Sequence, residues 1–290
     1  MKIFVTYGDS KYAVVKNFAV KMSLKYGNFD KSLAYSPDDI DESFKEKNKE
    51  ILSIKRGAGL WLWKPYIIMK ALKEEANYGD YVFYSDSGSF FLRPVDNLIK
   101  SMKDDIWVSN IPLYEWQFTH PTAMSLMKCH EKEYKETAQI QATYVCIRKS
   151  NRSIAFIEEW LNNCCKYDII SPYPKHEIYK LPKGFIAHRE DQSILSLLSK
   201  KWKINPHQDP SQLGKIKNFY ICFDGAIYCP ITNAKEYKPL IVSHRRRSIY
   251  NNTVLKMIIW FYIPSVISET WITLYRYLKN TKYYFNFNKK

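Results

Sequence analysis

The six cysteines of this 290-residue chain, at 129, 146, 164, 165, 222 and 229, form no CxxC pair and have no histidines at matching spacing. Structural zinc of the usual kinds is therefore not expected, and reduced thiols rather than a disulfide framework are. Acidic residues are scarce towards the end. From Ile241 to Lys290, nine Lys or Arg stand against the single Glu269, so this stretch carries +8 of the formal +15. The net charge points to an anionic partner. A charge gathered in one tail, with no RNP, zinc-finger or helix-turn-helix pattern, argues against a nucleic-acid binder. Long apolar runs are also missing. The tail's longest uncharged run, Met257 to Ser268, is 12 residues and contains Pro264, whereas a membrane-spanning helix needs about 20. Met1-Lys2 leads directly into a strand-like "IFVTYGDS", so no signal peptide is expected. No internal repeat is visible.

What is present is a globular composition, 46% hydrophobic and 25% charged, long enough for one large α/β domain or one domain plus an appendage. Ile3 to Thr6 reads as a buried strand broken at Gly8-Asp9. The helix that follows has Val14, Phe18, Met22 and Leu24 near helical spacing. "SLAYSP" reads as a second strand, and acidic "DDIDESF" opens another helix with carboxylates where the helix dipole favours them. Gly57 and Gly59 mark a turn. Pro65 suits the first turn of a helix, with Ile68, Ala71 and Leu72 as its inner face, and Tyr81 to Ser85 form a strand. "DIWVSN" (105–110) and "ATYVCIR" (142–148) are further strands, and "SIAFIEEWLNNCC" (153–165) is an amphipathic helix. Alternating strands and helices imply a mainly parallel sheet sandwiched by helices.

In such sheets ligands sit beyond the carboxyl ends of the strands, which is where Asp86 falls, followed by the small Ser87 and Gly88. A carboxylate there can hold a divalent cation against a diphosphate, and small neighbours let a ligand approach the backbone. A turn or helix-capping aspartate fits the same three residues.

Taken together, "RGAGLWLWKP…GDYVFYSDSG", "TAQIQATYVCIRKS" (137–150), "EEW" (158–160) and "HREDQSILSLLSKKW" (188–202) resemble bacterial GT-A-fold glycosyltransferases of capsular polysaccharide and lipopolysaccharide (O-antigen) biosynthesis. The likeness runs over residues 1–245. It implies a GT-A (Rossmann-like) domain there, with residues 246–290 as a C-terminal helical extension. It also implies a hexosyltransferase that moves a sugar from a nucleoside-diphosphate sugar, UDP first among them, to a hydroxyl of a lipid-linked surface glycan.

Residue by residue, Asp86 matches the first carboxylate of the Asp-x-Asp motif, and Gly88 stands where the second would be. His244, in "IVSHRRR", matches the C-terminal histidine that completes a metal or diphosphate site, so Asp86 and His244 would hold Mn²⁺ or Mg²⁺. One carboxylate alone is a poor cation site. Glu190 and Asp191 match the x-Glu-Asp motif beside the acceptor, with Asp191 as general base if the enzyme inverts. Thr6 and Tyr7 match the nucleotide-base region. Arg56 and Lys64 could neutralise the donor's diphosphate or simply be solvated, and Ser87 and Gly88 would let the donor approach the backbone. Other readings stay open: Glu190 and Asp191 suit the first turn of any helix, His244 could begin a basic surface run, and Trp61 and Trp63 suit a core.

Two other functions compete. A nucleic-acid-binding protein could use the 23 Tyr and 15 Phe for base stacking. A sugar nucleotidyltransferase would carry a Gly-rich loop after the first strand, where "TYGDSKYAVV" has one glycine. In the tail, Leu255, Ile258, Ile259 and Tyr262 share one helical face, as do Ile267, Trp271, Leu274, Tyr275 and Leu278, with Arg245, Arg246 and Arg247 just before them. Aromatic and basic residues together suit a lipid headgroup layer. The expectation is a cytoplasmic protein, peripheral on the inner face of the membrane; packing on the catalytic domain or a dimer contact is the alternative.

Overall fold

A computed structural model describes residues 1–215, 225–233, 235–267 and 270. Five strands form the central sheet in the order β2-β1-β3-β6-β5: β1 (Lys2–Tyr7), β2 (Lys31–Tyr35), β3 (Tyr81–Ser85), β5 (Ile106–Tyr114) and β6 (Ala138–Arg148). β1 pairs in parallel with β2 and β3, whereas β6 runs antiparallel to both β3 and β5. Four of the five strands thus share a direction, and the α/β, mainly parallel Rossmann-like sheet expected from the sequence is the observed one. A two-stranded antiparallel ribbon pairs β4 (Ser89–Phe91) with β7 (Ile241–Ser243).

Alternation along the strands sorts the core into two layers, as a period of two requires. Ile3, Val5, Val82 and Tyr84 face the Trp63–Glu74, Asn151–Cys164 and Glu190–Lys201 helices, through residues such as Ile67, Trp160 and Leu195. Phe4, Phe83, Trp107 and Cys146 face the other way, onto Ala19, Phe29 and Phe91. Helices therefore cover both faces. The Asn151–Cys164 helix starts at a Ser150–Ser153 capping box, which satisfies amide groups the first turn leaves open.

In the Ala13–Lys25 helix only part of the set at helical spacing packs inward, Met22 and the partly buried Phe18. Val14 and Leu24 are exposed, while Val15, Lys16, Ala19, Met22 and Ser23 are buried. Lys16 goes inside because its ammonium donates to the carbonyls of Gly8 (2.9 Å) and Tyr35 (3.0 Å), tying together the ends of β1 and β2. Cys129, Cys146, Cys164, Cys165 and Cys229 are free thiols; Cys222 lies outside the described residues.

Of the extension, the Asn252–Tyr262 helix is described, and the expected Trp271, Leu274, Tyr275 and Leu278 lie outside the described residues. The helix does not stand apart: Val254 and Phe261 join a cluster with Met22, Phe90 and Val242. Lys215 donates to the carbonyls of Trp260 and Ile263, capping its last turn. Among the described residues no helix is long and apolar enough to cross a membrane.

Candidate active site

An open cleft of about 550 Å³ lies at the carboxyl ends of β1 and β3, where Tyr7, Gly8 and Asp9 follow one strand and Asp86, Ser87 and Gly88 the other. β4–β7 pairing brings the 244–247 segment alongside: the backbone N–H groups of His244 (2.9 Å) and Arg245 (3.0 Å) both donate to the Gly88 carbonyl. The start of the Glu190–Lys201 helix and the 55–63 segment close the remaining sides.

Lys64 is the centre of the cleft's chemistry. It sits in the first turn of the Trp63–Glu74 helix, buried, with its ammonium 2.9 Å from Asp191, 3.3 Å from Asp86 and 3.2 Å from the Ala142 carbonyl to which it donates. Burial works against the ammonium, but Asp191 and then Asp86 overcome it and hold its pKa above the ordinary lysine value. Asp86 Oδ1 also accepts from the buried Tyr84 hydroxyl at 2.6 Å. Asp191, buried beside Cys164 and Trp160, has its pKa pushed up to about 7 by burial, against the pull of Lys64 and with help from Asp86 and Glu190. A carboxylate poised at that pKa exchanges protons readily at neutral pH.

The neighbouring Glu190 makes an ion pair with Arg56 across the cleft; burial raises its pKa although Arg56 opposes the shift. Glu190 has φ +44°, and facing it the chain makes one left-handed turn: Gly57, Ala58, Gly59, Leu60 and Trp61 all have positive φ. Only the two glycines take that region without steric cost. The turn is held by Leu60 N–H to Arg56 O (2.9 Å), Gly59 N–H to Ile54 O (2.8 Å) and Trp63 Nε1 to Gly57 O (2.9 Å). A Cβ on Gly57 would meet the Trp61 ring at 2.2–2.6 Å. Trp63 then stacks on Tyr7, with centroids 3.9 Å apart.

The structure therefore brings Tyr7, Arg56, Lys64, Asp86, Ser87, Gly88, Glu190 and Asp191 to one cleft. Two of the expected site residues are not on it. Thr6 is fully buried, its hydroxyl without a hydrogen-bond partner. His244 turns inward onto Phe90 (5.7 Å between ring centroids) and accepts from Arg246 N–H through Nδ1. Burial and the nearby Arg246 lower its pKa to about 4. Lys11, Tyr12, Lys55, Arg189, Arg245 and Arg247 also line the cleft, although the sequence does not mark them as site residues; the expectation for Arg245 and Arg247 is that they face lipid, and the run of three arginines is the available signal for a basic rim.

The donor set does not fit a divalent cation. Asp86 already serves Lys64 and Tyr84, Gly88 offers no carboxylate, and His244 faces the core. Among the described residues no three of His, Cys, Asp and Glu converge as a metal site would require. The expected Asp86–His244 pair is thus not assembled here, because the ribbon that positions residue 244 directs its side chain inward.

No family model and no curated protein matches the chain. Among solved structures it is similar to WbbM, a bifunctional glycosyltransferase, at 10% identity and TM-score 0.38, over 67% of this chain and 36% of that one. It is also similar to the glycosyltransferase GlyE of Streptococcus pneumoniae TIGR4, at 13% identity and TM-score 0.38, over 72% and 45% of the two chains. A third is the galactosyltransferase LgtC in complex with donor and acceptor sugar analogues, at 14% identity and TM-score 0.34, over 68% and 70%. The chain spans less than half the length of the first two.

Proposed function

We propose that this chain transfers a glycosyl group from a nucleoside-diphosphate sugar to an acceptor hydroxyl. The observation that carries the reading is the Lys64 ammonium between Asp86 and Asp191 on the floor of a strand-end cleft whose rim is basic. In the reaction the bond from the anomeric carbon to the β-phosphate oxygen breaks, and a bond to the acceptor oxygen forms. Asp191 takes the acceptor's proton. Arg56 and Lys64 favour the charge that develops on the leaving diphosphate, as fixed cations in a partly dry site do. Glu190 holds Arg56 in place, and the small Ser87 lines the strand end where the donor would lie. UDP-sugars are the first donors to test, and a lipid-linked surface glycan is the acceptor class in view.

A thermal-shift panel of UDP-, GDP- and CMP-sugars tests the reading. One donor at about 100 times its dissociation constant is expected to add roughly 2.7 kcal/mol of apparent stability, and product formation should follow with an acceptor glycan. A panel with no shift, and no donor turned over, would refute it.

The acceptor's lipid gives the Asn252–Tyr262 helix a role. Its Val254 and Phe261 are buried, while Leu255, Ile259 and Tyr262 are 58%, 52% and 61% exposed on the outer side. Apolar residues facing out, with the exposed Arg246 and Lys256 near them in the chain, support docking on the anionic inner face of the cell membrane. The full chain is expected to sediment with anionic vesicles at low salt, and the double substitution Leu255→Glu, Ile259→Glu to leave it in the supernatant. An unmodified chain that stays in the supernatant makes the helix a packing element alone.

A further inference from the structure

The mismatch between the cleft and a metal ion has a specific form: a cation is already present, and it belongs to the protein. The Lys64 ammonium lies within 3.3 Å of both Asp86 and Asp191, the place where a bridging ion would be held by two carboxylates. It also donates to the Ala142 carbonyl of β6, a third contact that holds it between the two carboxylates. The position of the missing second carboxylate is blocked in the same sense. A Cβ on Gly88 would stand 3.0 Å from Arg245 Cα and 3.3 Å from its N, and both backbone N–H groups of residues 244 and 245 close on the Gly88 carbonyl. Where an aspartate would project, the backbone that carries Arg245 packs instead. Arg245 is held there at φ +53°, and it lines the cleft with Arg247 and Arg56.

We propose that this chain has exchanged the divalent cation for fixed side-chain cations. Lys64 neutralises Asp86 and Asp191, Arg56, Arg245 and Arg247 receive the diphosphate, and donor binding needs no metal. The substitution has an electrostatic logic. An ammonium between two carboxylates leaves at most one net negative charge on the floor, which a diphosphate can approach. The same two carboxylates without it would repel the diphosphate unless a metal were recruited. The diphosphate part of this inference rests on the proposed transferase reading; the cation part does not.

Two measurements on the full chain test it. Free Mn²⁺ is counted by electron paramagnetic resonance as the ion is titrated into the protein alone. The expected result is that all Mn²⁺ remains free. Mn²⁺ held by the protein and released in Asp86→Asn would overturn the exchange. The dissociation constants of UDP and GDP are then measured by calorimetry in EDTA and in excess Mn²⁺. The nucleotide that binds is expected to do so in EDTA within about tenfold of its value in Mn²⁺, a difference below about 1.4 kcal/mol. Binding that requires Mn²⁺, or gains more than that from it, overturns the proposal. If neither nucleotide binds in either buffer, the transferase reading and the diphosphate part fail together, and the Mn²⁺ count decides the cation part by itself.

Discussion

Replacing Asp191 by Asn is expected to lower turnover by about 10²–10⁴-fold while leaving nucleotide affinity within a few-fold of the parent. The side chain is buried, and amide and carboxylate have nearly the same shape, so the change tests charge rather than packing. The pH profile gives a second reading of the same group. Turnover of the parent should rise along a limb with an apparent pKa near 7, the value to which burial lifts Asp191, and the Asn variant should lack that limb. Because Asp86, Glu190 and Lys64 all act on this carboxyl, the limb belongs to the cluster and not to one residue. Stability should move in the opposite direction. A carboxyl whose folded pKa lies above its unfolded value of 3.8 binds its proton more tightly in the folded state. Its contribution is therefore fully present below pH 4 and lost as pH rises towards and through 7. The Asn variant has no such decline between pH 4 and 7. A loss in turnover below about tenfold would make Asp191 a helix-end carboxylate and place the base elsewhere.

Lys64→Met should be the most destabilising single change in the cleft. Methionine fills much of the same volume, but the buried Asp191 loses its counter-ion, as does the partly exposed Asp86. Breaking a buried pair from one side costs about 3–5 kcal/mol. The cost should depend on pH in a particular way. Below 7, Asp191 can take up a proton and the uncompensated charge largely disappears, so the gap between parent and variant narrows. Between pH 7 and 10 the parent keeps a charged lysine facing an ionised Asp191, and the gap is widest. Above that range it closes again, as Lys64, whose folded pKa is raised, gives up its proton. Urea unfolding at pH 5 and pH 8.5 measures both values. Equal gaps at the two pH values would mean that Lys64 matters for packing and not for charge.

The sequence made the strands and the strand-end carboxylate readable because both are local signals. Apolar runs of strand length stop at Gly8-Asp9 and at Asp86, and the structure ends β1 and β3 within a residue of those points. The direction of β6 was not readable, since residues 138–148 alternate in the same way whether the strand runs with β3 or against it. Lys64 was visible only as a basic residue before Pro65. Its burial depends on its helix packing on β1 and β3 and on a carbonyl from β6, strands that are not its neighbours in the chain. His244 failed for a related reason: its position in the chain is near the cleft, but a three-residue strand decides which way it faces. Gly57 and Gly59 announced a turn, yet nothing local announces that Ala58, Leu60 and Trp61 share their handedness.

That left-handed turn has a consequence for entropy. A Gly-x-Gly segment left free would have to be ordered whenever a ligand arrived, at about 1–2 kcal/mol for each residue fixed. Here five consecutive residues are already fixed, by backbone hydrogen bonds to Ile54 and Arg56, by the Trp63 indole and by the Arg56–Glu190 pair. The ordering, and the steric cost of three non-glycine residues at positive φ, are met once, when the chain folds. The segment is consequently a standing wall of the cleft, and what a ligand gains against it is not diminished by having to build it first.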